Sequence, residues 1–310
     1  FMDWMSTNGN SSLYHWDDRR RPTNMTQFSF RDDDRGVSVE YLVDLCNLTG
    51  KNAWFCIPHI ATDDYVRNLA RYVRNHLDPS LKLFIEHSNE VWNPSFAQHD
   101  YSAGKAAQEL GASGDHWTNS ATWHAHRSLQ IWNIFEQELE NDARMVRVMS
   151  GWSNTFGGFD NTALSYNNAY KTADVFAIAY YYGHDIGNDI RVNSVDEIFA
   201  ELPGQMEDIR NDVRSVRNLI NRYNPKIEII SYEGGQHMVN SGDATQTSYM
   251  ISANRDPRMY DIYLEMLDDW KSAGGTMFSN FSSIAEAGKW GCWGMIENRF
   301  ENLEKAHKYQ

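Results

Sequence analysis

The sequence predicts an α/β fold, a (β/α)8 or TIM barrel, and three observations carry that prediction. Strand and helix patterns alternate along almost the whole chain, the strand segments are nearly continuous apolar runs, and polar residues gather at their C-terminal tips. Alternation implies parallel strands joined by right-handed crossovers. Continuous apolar runs are what strands buried on both faces require. The tip residues are His59, Asn89-Glu90, Ser150, Tyr182, Glu233 and Asn280. In a parallel eight-stranded barrel that end carries the chemistry. A barrel takes about 250 residues, so the 310 residues suit one domain, 1–310.

The elements follow in order. Residues 1–5 read as a short apolar strand. A polar loop over about 6–36 contains Trp16 and the run Asp32-Asp33-Asp34-Arg35. Residues 37–48 read as a helix closed by Gly50, the usual C-terminal stop. Residues 53–58 form a strand ending at His59. Thr62 is the expected N-cap of the next helix, with Asp63 and Asp64 in its first turn, where the helix dipole favours negative charge. Val66, Leu69, Ala70, Val73 and Leu77 give it one buried stripe, and Pro79 stops it. The strand 81–90 comes next, then helical stretches at 100–110 and 115–140.

The strand 145–149 ends in Ser150-Gly151-Trp152 and leads to a helix at 162–172. A strand at 175–182 precedes a helix at 195–223, with Met206, Ile209, Val213, Val216 and Ile220 on one face. The strand 227–233, a helix at 257–273 ended by Gly274-Gly275, the strand 277–281 and a helical tail at 303–309 complete the chain. That makes seven strands, so an eight-stranded barrel is one short, and the missing unit is expected before Phe1. No internal repeat, low-complexity run or interdomain linker appears.

Lysine and arginine number 28 against 42 acidic residues, a net charge of −14. No basic surface stands out to neutralise phosphates, which argues against nucleic-acid and anionic-membrane partners. The balance suits a neutral ligand such as a sugar. Aromatic content is high, with 11 Trp, 16 Tyr and 14 Phe. Most should fill the core. The rest have the mixed polar and apolar character that suits stacking on sugar rings. Cys46, Cys56 and Cys292 leave at least one thiol unpaired and show no metal-ligand spacing. No apolar run is long enough to span a bilayer.

Two strands each deliver a carboxylate at the C-terminal tip: Glu90 after Asn89, and Glu233 before Gly234-Gly235. A pair of carboxylates is what glycosidic-bond hydrolysis needs. The Asn89 amide can donate to a sugar hydroxyl. Glu86 lies deeper on its strand and reads as a buried, ion-paired barrel residue, since catalytic groups sit at strand tips. Trp92 reads as the wall of a binding subsite or an anchor for its loop, and His59 as a ligand contact or a structural donor. His124 and His126 lie two apart on a helix and do not share a face, which argues against a metal pair. Asp32 to Asp34 lack the spacing of a calcium loop and read as solvated. The glycine pairs at 157–158 and 234–235 match no phosphate-binding pattern. Neither a metal nor a cofactor is expected.

The run Glu86-His87-Ser88-Asn89-Glu90 resembles the Glu-x-x-Asn-Glu strand-four signature of the clan A glycoside hydrolases, retaining (β/α)8 enzymes that include the family 5 cellulases and mannanases. Ile230 to Gly235 resembles their strand-seven nucleophile motif, and Ile57-Pro58-His59 their strand-three histidine. Tyr180, Tyr181 and Tyr182 fall where such enzymes carry a residue beside the nucleophile, and Trp290 and Trp293 where they carry a sugar-stacking Trp. There are two departures. The strand-two arginine has no counterpart after Phe1, and Val91-Trp92 follows the acid where family 5 commonly has Pro.

The resemblance implies Glu90 as general acid/base, with its pKa raised by its site, and Glu233 as nucleophile beside a tyrosine of the run 180–182. It implies retention, with carboxyls about 5–5.5 Å apart. It also implies a β-linked glycan substrate, a β-1,4-glucan first with mannan and xylan open, and a secreted or periplasmic location. Two rival readings are a non-catalytic carbohydrate-binding barrel and a metal- or phosphate-dependent barrel enzyme. Oligomeric state is not legible.

Overall fold

The computed structural model describes residues 1–27, 35–140, 143–188, 192–240 and 242–310. Asp32, Asp33 and Asp34 lie outside the described residues. Six strands alternate with helices and follow one another in the sheet in chain order. They are β1 (Ala53–Ile57), β2 (Leu83–His87), β3 (Met145–Ser150), β4 (Val175–Tyr182), β5 (Glu228–Gln236) and β6 (Gly275–Phe278). The helices are α1 (Val39–Thr49), α2 (Asp63–His76), α3 (Ala97–Leu110), α4 (His116–Glu138), α5 (Phe159–Ser165), α6 (Val195–Tyr223), α7 (Ala244–Asn254) and α8 (Arg258–Ser272). Parallel strands with intervening helices in this order are the repeating unit of a (β/α)8 barrel.

The chain divides into two compact units, Phe1–Ala177 with Ile220–Ile227, and Ile178–Leu219 with Glu228–Gln310. In the first unit β1, β2 and β3 pair in parallel, and Val148 to Ser150 of β3 pair with the first residues of β4. Phe55, Ile57, Leu83 and Ile85 are fully buried, as are Val66, Leu69 and Val73 of α2 and Ile131, Trp132 and Phe135 of α4. Each such side chain contributes roughly 1.5–3 kcal/mol. The Thr62 hydroxyl caps α2 by accepting from Tyr65 N, and the Asp115 carboxylate caps α4 by accepting from Thr118 N. Ile57 lies opposite His87, so His59 and Asn89 both follow the C-terminal ends of neighbouring strands.

In the second unit β5 and β6 pair in parallel, with an irregularity between Ile229 and Ile230. The apolar face of α6 is buried as its spacing predicts, through Met206, Ile209, Val213 and Val216. A Cβ on Gly234 would lie 2.5 Å from the Tyr180 carbonyl oxygen. That close approach of β5 to the end of β4 requires glycine.

Four expectations need correction. Residues 1–5 are not a strand. Asp3–Met5 is a 3-10 helix, with Met5 N donating to Phe1 O at 2.8 Å. Beyond the segment, Phe1 N donates to Trp54 O of β1 at 2.8 Å, and Val37 N donates to Trp4 O at 2.7 Å. A Cβ on Gly36 would meet that same Trp4 oxygen at 2.2 Å. The strand count among the described residues is therefore six. The predicted helix at 162–172 is α5 followed by a 3-10 turn, where Asn167 and Asn168 adopt φ of +46° and +58°. Asparagine tolerates that region better than most residues. The helix α7 was not expected, although Asp243 caps it by accepting from Thr245 N and Gln246 N. The tail is reduced to a 3-10 turn at Leu303–Lys305.

Candidate active site

In the first unit the candidate acid sits on a short loop after β2. Ser88 and Glu90 both have left-handed backbone, φ +59° and +43°. Two such residues within three positions cost on the order of 1–3 kcal/mol each, and persist only where their surroundings hold them. Several hydrogen bonds do so here. Ser88 N donates to Ile57 O at 2.7 Å, and Asn93 N to Glu90 O at 2.8 Å. The Gln98 amide donates to Asn89 O at 2.6 Å. His99 Nδ1 and the Ser120 hydroxyl both donate to Val91 O. Because a carbonyl only accepts, His99 carries its proton on Nδ1. The loop is thus tied to both α3 and α4. Asn89 and Glu90 are 3% and 7% exposed. Asn93 Nδ2 donates to Glu90 Oε2 at 2.8 Å and so fixes the carboxyl.

His59 follows the end of β1 and is buried, with its ring edge-on to Tyr101 at 5.0 Å. Burial pushes its pKa down to about 4, so the ring is neutral near pH 7. Its Nδ1 is buried without a hydrogen-bond partner among the described residues. That disfavours the reading of a satisfied structural donor. Trp92 is half-buried and stacks on Trp152, centroids 5.4 Å apart and 8° from parallel. Trp117 packs against Trp152 at 5.8 Å. The tips of β2 and β3 therefore share an indole cluster.

Two groups lie deeper. Glu86 is buried but is not ion-paired among the described residues, contrary to expectation. It accepts from Trp54 Nε1 at 2.9 Å and from the Cys56 thiol. Burial pushes its carboxyl up to about 7. His87 meets His124 Nδ1 to Nδ1 at 3.0 Å. Burial lowers both rings, His124 to about 4, so this is a neutral pair in which one ring donates to the other. His126, two residues along, turns instead towards Tyr166.

In the second unit Glu233 is half-buried on β5, and the Ser231 hydroxyl donates to its carbonyl at 2.7 Å. The tyrosine run separates by strand alternation. Tyr180 is fully buried against Trp270 and Phe278. Tyr182 is buried near Tyr263. Both rings pack in the core, with their hydroxyls buried without a partner among the described residues. Tyr181 is half-buried and lies 4.9 Å from His237. His237 accepts at Nδ1 from Trp293 Nε1 at 3.2 Å, so its own proton is on Nε2. Burial, then the neighbouring His184, lowers His237 to about 4. Trp290 is 72% exposed, with Lys289 Nζ 4.5 Å from its ring centre. The structure thus joins Tyr181 and Trp293 through His237 and leaves Trp290 outside that group.

The sequence reading missed Asn93, Gln98, Trp152 and His237. Trp152 and His237 each stand at or just beyond a strand tip, a signal already used for Glu90 and applicable to them. Asn93 and Gln98 carry no such signal, because their role depends on the path of the loop.

Parallel β/α units with polar residues at the strand tips define a (β/α)8-type protein. No protein-family model matches the chain, and no curated protein matches it in sequence. Among solved structures it is similar to the GH51 arabinofuranosidase from Xanthomonas axonopodis pv. citri. The identity is 12% and the TM-score 0.55, over 88% of this chain and 55% of that one. It is also similar to a family 51 alpha-L-arabinofuranosidase from Bifidobacterium longum, at 11% identity and TM-score 0.52, over 91% of this chain and 55% of that one. The likeness is one of fold, and the chain spans about half the length of either structure.

Proposed function

We propose that residues 1–310 are a single catalytic domain, a retaining glycoside hydrolase acting on β-linked glycans. The observation that carries this is the loop after β2, where Asn89 and Glu90 are buried, Ser88 and Glu90 have left-handed backbone, and Asn93 fixes the Glu90 carboxyl. Strain of that kind clusters at functional sites. Glu90 donates its proton to the leaving oxygen while Glu233 attacks the anomeric carbon and forms a glycosyl ester. Glu90, now ionised, then takes a proton from water as the ester is hydrolysed. Tyr181 is the tyrosine of its run available to support Glu233. Asn89 and His59 contact the sugar at the acid, and Trp92 and Trp293 offer ring faces to its neighbours. The preferred substrate is an internal linkage of β-1,4-glucan, ahead of mannan and xylan. A polymer of that size is met outside the cytoplasm, so secretion or a periplasmic location belongs to the same reading.

The test is product analysis on glucan, mannan, xylan and an arabinofuranoside, with the anomer released first read by proton NMR. Retention is expected. Glu90→Gln and Glu233→Gln should each lower kcat by about 10²-fold or more while glycan binding survives. First release of the inverted anomer would overturn the double displacement. No turnover by the parent protein, with binding intact, would leave a non-catalytic carbohydrate-binding barrel.

A further inference from the structure

A cavity of about 290 Å³ lies in the first unit, between the start of α2, α3 and α4. That is at the lower end of small-molecule sites. Tyr14, Tyr101 and Trp123 supply aromatic lining, and His59 belongs to the same wall. The charged groups balance. Lys105 pairs with Glu109, and Arg127 Nη1 with Asp63 Oδ1 at 2.7 Å, two cations against two anions. Arg127 also donates to Gln130 Oε1 and to Ala61 O. No charge is left over to attract an ionic ligand.

Two of the lining residues each carry a ring nitrogen that is buried without a partner among the described residues, His59 Nδ1 and Trp123 Nε1. Burying an N–H unpaired costs on the order of 1–3 kcal/mol, and such an atom calls for an explanation. Rings to stack on, unpaired ring nitrogens and balanced charge together fit a neutral polyhydroxylated ring. Phosphate or carboxylate ligands do not fit.

We propose that this cavity is a sugar-binding subsite, separate from the bond-cleaving carboxyls, that holds one neutral sugar ring of a longer glycan. His59 links the two places. It lines the cavity and also follows the end of β1, the parallel neighbour of the strand that leads to Asn89. A glycan positioned at Glu90 runs over His59 and lays a further ring between Tyr14 and Trp123. A sugar hydroxyl, after a small side-chain adjustment, completes the hydrogen bonds of Trp123 Nε1 and His59 Nδ1. The subsite makes the protein prefer long glycans over short ones. This deepens the glycosidase reading and rests on it for the identity of the ligand.

The experiment uses the whole chain and has two arms. In the first, the Trp123 indole N–H resonance, identified by its loss in Trp123→Phe, is followed while short and long cello-, manno- and xylo-oligosaccharides are added to Glu90→Gln. A shift with long oligosaccharides that is weaker with short ones is expected. In the second, kcat/KM is measured against chain length for the parent, Trp123→Phe and Tyr14→Ala. Tyr14 is 48% exposed, so its truncation leaves the core intact. The gain in kcat/KM with chain length should shrink roughly 3- to 10-fold in either variant.

The outcomes separate the two readings. Hydrolysis with no indole shift, and with the parent's chain-length dependence kept in both variants, overturns the subsite and leaves the glycosidase standing. An indole shift in a protein without turnover upholds the subsite and removes the glycosidase. A shift with acidic oligosaccharides but not neutral ones overturns the stated ligand class.

Discussion

Glu86 shows how one residue's environment sets its chemistry. Its carboxyl lies among Trp54, Cys56 and Ser150, and burial raises its pKa from an ordinary 4.5 to about 7. The sign of the consequence follows from proton counting. At low pH the folded and unfolded states are both protonated and nothing is lost. As pH rises past 4.5 the unfolded chain ionises first, so stability falls until about pH 7, where the loss is complete. Glu86→Gln cannot ionise. Its stability relative to the parent should therefore rise between pH 4.5 and 7.5, by roughly 1–3 kcal/mol. Urea unfolding at both pH values measures this, and an offset that does not change with pH would refute it. At this scale the sequence was informative where a residue's role follows from strand position. Glu86 was recognised as buried because it lies four residues before the tip. Its lack of an ion pair was not legible, since nothing in a linear pattern says which side chains from β1 face it. Alternation alone could have singled out Tyr181 from its neighbours, because a strand turns consecutive side chains to opposite faces.

Among the elements, the loop after β2 is the one the sequence described least well. The apolar and polar pattern extends the strand to residue 90, but pairing stops at His87 because Ser88 turns into left-handed backbone. Hydrophobic periodicity carries no information on the sign of φ at a non-glycine residue. Gln98 is one of the residues that hold the turn, and its buried amide donates to Asn89 O and to Thr7 O. Gln98→Ala leaves both carbonyls without that donor. It should cost about 1–3 kcal/mol in urea unfolding and lower activity together with stability. A variant as stable as the parent would show that the loop is held elsewhere. Helix ends were far more legible. Thr62 is the expected cap of α2, because capping chemistry is local. Asp243 shows the same local signal before α7, but the helix's weak apolar stripe hides it from a periodicity search.

For the whole molecule, the fold class was legible because it depends on coarse alternation, which survives errors of a few residues at each boundary. The helix α6 matches its predicted span to the residue. Substrate choice was not legible, because it depends on loops and on side chains brought together from distant positions, such as Tyr14 and Trp123. The three cysteines, all buried and free, have a separate consequence. Cys46 and Cys56 lie in the first unit and Cys292 in the second. An alkylating reagent reaches each thiol only when the structure around it opens. The protein therefore carries its own timers, two for one unit and one for the other. Mass spectrometry of peptides after timed exposure to iodoacetamide gives each rate. Equal rates would mean that the chain opens as a single cooperative body. A faster Cys292 would mean that the half bearing Glu233 breathes first and leaves the half bearing Glu90 folded.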